Sequence, residues 1–296
     1  MRLLWLSMIR LICLLTTFFF SQLSTAEPLY WQASKGKLNL LLVGSVHVGD
    51  ADMYPLPAAI TTFLTHSDGI ILEADIRNQN KVQYPHSQVL SQDVLSQHQQ
   101  KELLGIANLL NLNGDQLLQT PPWASALAIQ MKQIEYLGYK PKDGVDLWLL
   151  SQAINQGKPV LGLESLQFQI DLLTQQANGG QELLTNAIEQ FDHSENAMHC
   201  LIKSWKSGDI AKLNEFSYLT EMSPEFEQAF IYQRNQDWAN KLASREILPK
   251  KQGNYLVVVG TLHLIGRDSL VSLLRNKGFT VTQRSTSSQA NCEFKY

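Results

Sequence analysis

The stretch Leu40-Leu41-Leu42-Val43-Gly44-Ser45-Val46-His47-Val48 returns near the other end of the chain as Leu256-Val257-Val258-Val259-Gly260-Thr261-Leu262-His263-Leu264. Each copy is an apolar run closed by Gly-x-x-His. Apolar residues at successive positions suit a strand buried on both faces, and a glycine at its end permits a sharp turn or a close approach. Each copy is followed by a helical stretch and another strand, so the chain reads as two similar half-units related by pseudo-symmetry. Their histidines are then expected to face one cleft.

Further short apolar runs, Gly69 to Leu72, Pro159 to Leu163 and Phe279 to Val281, read as strands, with long helical patterns between. This alternation is that of an α/β fold. Tyr30 to Lys37 reads as a polar lead-in, and Asn78 to Ser91 as a surface loop. Pro121-Pro122 opens a helix to about Leu137, and Ser223-Pro224-Glu225 opens another to about Ile247. The stretches 91–150 and 165–248 are nearly all helix, which predicts one domain, 27–296, with a large helical middle section inserted.

Residues 1–26 have the pattern of a signal peptide: Arg2 and Arg10 precede the apolar run Leu11 to Phe20, and Ser24-Thr25-Ala26 offers small residues for cleavage. A retained anchor is the alternative, and Arg10 in its middle argues against it. The reading is therefore an exported protein, periplasmic or secreted, with no stable membrane span after cleavage. The whole chain has a net charge of −3; the leader holds two arginines and no acid, so the remainder carries −5. No basic run with interleaved aromatics occurs, which excludes the usual footprint of a nucleic-acid binder. Beyond the leader two cysteines remain, Cys200 and Cys292, and in an oxidising compartment a single disulfide between them is expected.

Ligands in open α/β sheets sit beyond the carboxyl ends of the strands. Four polar residues fall there: His47, Glu73 after Ile70-Ile71-Leu72, Glu164 after Val160-Leu161-Gly162-Leu163, and His263. Imidazole and carboxylate are standard ligands for divalent metals and serve equally as general base and acid. A helix N-terminus at each Gly-x-x-His would lower the imidazole pKa and keep the ring neutral. Asp75 is the alternative to Glu73, and Glu164 alternatively reads as a first-turn helix acid. Arg234, inside a helical pattern, reads either as a surface ion pair or as a forked clamp on a substrate oxyanion. His66, His86, His98, His193 and His199 lack partners at ligand spacing and read as surface residues. His-Glu-x-x-His, Gly-x-Ser-x-Gly, Walker and dinucleotide-binding patterns are absent.

In order and spacing these motifs resemble the TraB/GumN family, which includes the Tiki proteins and is related to erythromycin-esterase and ChaN-like folds. Gly44 to Gly49 followed by Tyr54-Pro55-Leu56-Pro57 is similar to its first motif, and Leu72-Glu73-Ala74-Asp75 to its second. Gly144-Val145-Asp146, Gly162-Leu163-Glu164-Ser165 with Gln169, and Arg234-Asn235 with Trp238-Ala239 resemble its middle blocks. Val259 to Gly266 resembles the closing motif. The resemblance implies two small β-sheet units surrounded by helices and, as in Tiki-like members, a metal-dependent protease using manganese or cobalt, with zinc also admissible.

Carried over by position, His47, Glu73, Arg234 and His263 are the candidate catalytic residues, and His47, Glu164 and His263 the candidate metal ligands. The leading expectation is a hydrolase acting on a peptide or other small substrate, with Glu73 as base or extra ligand and Arg234 steadying an oxyanion. Two alternatives stand beside it: a metal-independent, esterase-like hydrolase with His47 as general base, and a non-catalytic exported protein that binds a peptide, haem or metal.

Overall fold

The structure, a computed structural model, describes residues 26–77, 82–85, 89–219 and 223–294. The proposed leader lies outside these residues, as does His86. Strand β1 (Tyr30–Lys35) and strand β2 (Leu38–Ser45) form a hairpin across Gly36-Lys37. They are followed by β3 (Gly69–Ala74), β4 (Val160–Glu164), β5 (Gly253–Gly260) and β6 (Thr280–Gln283). The six strands make one sheet in the order β4-β3-β5-β2-β1-β6.

The α/β class therefore holds, while the two small units merge into a single continuous sheet. The physical reason is the register: the echoed runs β2 and β5 pair with each other in parallel from Leu38↔Gly253 to Ser45↔Gly260. Two strands apolar on both faces bury each other's backbone groups best as central neighbours. The second correction concerns Tyr30–Lys35, read as a lead-in but paired antiparallel with both β2 and β6. Trp31 and Ala33 are buried while Gln32, Ser34 and Lys35 are partly solvated, as half-exposure near a sheet edge allows.

Strands β4, β3, β5 and β2 are mutually parallel, so their carboxyl ends share one edge of the sheet. That edge holds Ala74 opposite Glu164 and Ser45 opposite Gly260. The chain also forms α1 (Ala58–His66), α2 (Gln97–Leu109), α3 (Gly114–Leu118), α4 (Pro122–Tyr136), α5 (Val145–Asn155), α6 (Leu166–Thr174), α7 (Gln181–Glu189), α8 (Phe191–Ser207), α9 (Ile210–Leu219), α10 (Gln233–Ser244) and α11 (Leu270–Asn276). A helical turn Pro224–Glu227 and a π-helical turn Gln228–Tyr232 lead into α10. The helix expected from Ser223 to Ile247 thus contains a widened turn, a feature frequent at functional sites.

One apolar cluster covers the sheet, with Trp205 and Trp238 fully buried in it. A second, smaller cluster joins α2, α3, α4 and α7 around Leu103, Ile129 and Leu184. Cys200 on α8 is bonded to Cys292, so the expected disulfide is present and clips the C-terminal segment to the helical layer. Among the described residues no helix is long and apolar enough to cross a membrane.

Candidate active site

The two glycines bring the echoed motifs into contact. A Cβ at Gly44 would lie 2.7 Å from Thr261 Oγ1 and 3.2 Å from Thr261 Cα, so only glycine admits this approach. Thr261 is pinned in turn, its hydroxyl donating to Ser45 O at 3.0 Å. The Gly260 amide donates to Glu73 Oε1 at 2.8 Å, which ties the second motif to the end of β3.

His263 sits on the short turn Thr261–His263 after β5 and is buried. Its Nδ1 lies 2.7 Å from Asn235 Oδ1, and Asn235 Nδ2 donates to Asp268 O at 3.0 Å. Because that carbonyl can only accept, the amide oxygen faces the ring, and Nδ1 is the protonated nitrogen. The Nε2 lone pair then accepts from Arg234 Nη1 at 3.2 Å. Burial first, and then the nearby charges of Arg234 and His47, pull His263 down to about 4, against the opposing pull of Glu73. The ring is neutral at pH 7.

Arg234, in the first turn of α10, is the hub. Nε spans both oxygens of Glu164 at 3.2 Å, and Nη2 donates to Glu164 Oε1 at 2.7 Å and to Glu73 Oε2 at 2.5 Å. Nη1 also donates to Phe230 O at 3.0 Å. Every N–H of the guanidinium is thus engaged by the protein. The surface-pair reading of Arg234 fails: it is only 8 % exposed, and its partners are the strand-end carboxylates. Burial works against its charge, and Glu73 and Glu164 more than compensate, so its pKa is raised. Glu164 is also held by Trp238 Nε1 at 2.9 Å and by Gln169 Nε2 at 3.0 Å.

Glu73 faces both sides of the hub. Burial alone would raise its pKa, yet the positive groups around it, His263, Arg234 and His47, with the Gly260 amide, hold it at about 2. Since His263 is itself neutral at pH 7, the charges present there are those of Arg234 and His47. Asp75, the alternative, turns away and pairs with Arg77.

His47 lies apart from this network, on the loop after β2, with its side chain 66 % exposed. That loop is docked on α5 by Val145 N donating to Val46 O, and Asp146 at the start of α5 meets His47 Nδ1 through Oδ2 at 3.2 Å. This hydrogen bond, outweighing partial desolvation, raises His47 to about 9, with further help from the charge of Glu73. The expectation of a neutral ring is therefore corrected at His47: the start of α5 reaches the ring through the Asp146 carboxylate, whose hydrogen bond raises the imidazole pKa. A small cavity of about 50 Å³ is lined by His47, Glu73, Asp146, Gln169 and Ser45 among others. Asp146 Oδ1 and Ser45 Oγ are buried without a hydrogen-bond partner among the described residues.

The structure thus joins Glu73, Glu164, Arg234 and His263 in one buried network, with His47 across a small cavity from Glu73. Asp146, Asn235, Gln169 and Trp238 were quoted in the motif blocks, but sequence reasoning gave none of them a role. The only signal for Asp146 was an acid in a helical first turn, which ordinarily reads as a cap. His66, His98, His193 and His199 are exposed, as read from their polar surroundings.

A model of the TraB/PrgY/gumN family matches residues 29–283. The chain belongs to the TraB/PrgY/gumN family. It is similar to the protein named "Uncharacterized protein YbaP" from Escherichia coli (strain K12), 30 % identical over 242 residues, which covers 81 % of this chain and 89 % of that one. The Shigella flexneri protein of the same name is 30 % identical over 236 residues, covering 79 % and 87 %. No solved structure matches the chain. The TraB/PrgY/gumN span includes all of His47, Glu73, Asp146, Glu164, Arg234 and His263, so the whole site lies within the family region.

Among the described residues no three His, Cys, Asp or Glu side chains converge as a ready ligand set. Arg234 stands between Glu164 and His263 and takes the lone pairs that a cation would need. Around the small cavity lie His47 Nε2, Glu73 and the buried, unpartnered Asp146 Oδ1. Imidazole and carboxylate are the donor types of divalent-metal sites, and here they are not converged on one point.

Proposed function

We propose that this chain is an exported hydrolase in which His47, oriented by Asp146, is the acid–base group working in the cavity it shares with Glu73. One observation carries the reading: His47 has Nδ1 fixed by a buried-side carboxylate while the rest of its ring faces open space beside a second carboxylate. A proton-transferring group, its orienting partner and room for a reacting atom are the minimum set for hydrolysis. At neutral pH His47 holds a proton on both nitrogens and can give one to a leaving group; towards pH 9 it becomes a base for water. Glu73, ionised throughout, keeps the imidazolium paired and orders what lies between them.

Arg234 acts as a positioning residue here, because its donors are spent on Glu73, Glu164, His263 and Phe230. A role as oxyanion clamp would require it to release one of them. In the metal-dependent alternative a divalent ion, manganese or cobalt as the family resemblance implies, or zinc, would be held by His47 Nε2, Asp146 and Glu73, and His47 would then be a ligand and not the acid–base group. Recruiting Glu164 and His263 as further ligands would require Arg234 to withdraw. When bound, such an ion polarises a carbonyl and lowers the pKa of water. Peptide bonds are the proposed substrates, and esters are the second class. The Cys200–Cys292 bond supports the reading of an oxidising compartment.

The test is hydrolysis of a mixed peptide and ester library by the purified chain, with His47→Ala and Glu73→Gln beside it, before and after chelation. Turnover lost in both variants at unchanged fold supports the proposal. Turnover that survives His47→Ala sinks it. Survival of wild-type turnover after chelation selects the metal-independent form.

A further inference from the structure

A cavity of about 650 Å³, separate from the one that His47 lines, is lined in part by Arg234. Its wall is built from the two segments that deliver the buried network. Phe230, Ile231 and Tyr232 come from the π-helical turn that runs into Arg234, and Leu262 and Ile265 flank His263. The volume lies in the range of small-molecule sites, and the apolar lining with a few polar groups is typical of them. Gln130 and Asn186 also line it, and both are shared with a neighbouring cavity.

We propose that this cavity binds a flat, apolar, ring-bearing group of the substrate, with Phe230 and Ile231 as specificity-determining residues. The argument for a ring is the wall itself. Phe226 and Phe230 are stacked, with centroids 3.8 Å apart and planes within 8°, and Arg267 lies over the ring of Tyr232 at 5.2 Å. Phe226, Phe230 and Tyr232 all line the cavity, and aromatic side chains interact favourably with a further ring through offset-stacked or edge-to-face contacts. The π-helical turn matters because an extra residue per turn re-aims the side chains that follow it. Occupancy is also felt by the charged hub, since the carbonyl of Phe230 accepts from Arg234 Nη1, and Arg234 in turn holds Glu73 and His263. The inference rests on the hydrolase reading only for calling the bound group part of a substrate; binding itself needs no turnover.

The probe is N-phenyl-1-naphthylamine, a neutral fluorophore with three aromatic rings, titrated into the full oxidised chain. Saturable one-site binding is expected in the wild type and in His47→Ala alike. Ile231→Trp, which fills the cavity, should weaken binding at least tenfold, and Leu183→Trp, at a residue that lines this cavity and not the neighbouring one, should do the same if the first variant folds poorly. Met198→Trp, in the neighbouring cavity of about 280 Å³, should leave binding unchanged. Absence of saturable binding, indifference to both cavity-filling variants, or loss of binding only in Met198→Trp overturns the proposal. His47→Ala separates the two readings: it removes turnover if the hydrolase reading holds and spares binding if this one does.

Discussion

Arg234 and Glu164 meet through two guanidinium nitrogens, Nε at 3.2 Å and Nη2 at 2.7 Å, with side chains only 9 % and 4 % exposed. A carboxylate this deep is tolerated because the fork matches it and because Trp238 and Gln169 satisfy its other lone pairs. Arg234→Ala would leave Glu73 and Glu164 buried with no counter-charge, and removing one member of such a pair costs about 3–5 kcal/mol. Arg234→Lys should fall between, since an ammonium cannot span both oxygens. Adding Glu164→Gln to Arg234→Ala should recover part of the loss. Urea denaturation of the four proteins measures this; a loss below about 1 kcal/mol for Arg234→Ala, within the range of surface pairs, would refute the buried-hub description.

His47 titration gives a direct reading of the Asp146 contact. In chelator-treated protein, the carbon-bound ring protons of His47 should titrate with a midpoint near 9 by NMR. Asp146→Asn removes the charge and the stronger acceptor, so the midpoint should fall towards the ordinary value of 6.5. Any turnover that uses His47 as base should have its rising limb displaced to lower pH by the same substitution. A midpoint that stays put in Asp146→Asn would show that the pair is incidental.

Much of this arrangement was legible in the residues and some was not. Strands β2, β3 and β5 announce themselves as largely apolar runs, because burial on both faces leaves few polar positions, and β4, though a half-buried edge strand, carries the apolar run Val160 to Leu163. The echoed Gly-x-x-His told that two distant histidines belong to one edge, and the close pairing of β2 with β5 is why. Strand β1 was hidden because half of its side chains are polar. Arg234 was undecidable, since helical spacing does not reveal that α10 aims its first turn at the sheet edge. Asp146 was invisible for the same reason: its partner is 99 residues away in sequence.

Acid should weaken the fold through His263. In the native state its pKa is about 4, against an ordinary value of 6.5. Between those values the unfolded chain holds a proton that the native chain does not, so stability rises with pH across the window and is lost as pH falls from about 6.5 to about 4. Glu73, held at about 2 against an ordinary 4.5, adds a loss of the same sign at lower pH. Denaturation midpoints at pH 7 and pH 5 should therefore differ in the wild type and differ less in His263→Gln. Equal pH sensitivity in the two proteins would remove His263 as the cause.

The disulfide closes a long segment, Cys200 and Cys292 being 92 positions apart. A cross-link of that span restricts the unfolded chain strongly, and a stabilisation of about 2–4 kcal/mol is typical. Reduction, or Cys292→Ala with Cys200→Ala, should lower stability by that order. The site should persist at moderate temperature, because none of its residues lies on the helix or the C-terminal segment that the bond joins. Identical unfolding curves with and without reductant would contradict this.

Gly44 and Gly36 provide a paired test of why the first motif needs its glycine. At Gly36, in the hairpin turn, φ is +62° and an added Cβ meets nothing within 4 Å, so Gly36→Ala costs only backbone strain, about 1 kcal/mol. At Gly44 the backbone is ordinary β, but the added Cβ would press on Thr261, whose hydroxyl is already fixed to Ser45 O. Relief requires β2 and the turn after β5 to part, at the cost of overpacking, about 1–3 kcal/mol. That movement also displaces Gly260, whose amide holds Glu73, and with it the orientation of His263. Gly36→Ala should thus lose stability with the His47 and His263 NMR signals unmoved, whereas Gly44→Ala should lose stability and shift both. Unshifted signals in Gly44→Ala would mean that the two motifs are neighbours in the sheet without being mechanically joined.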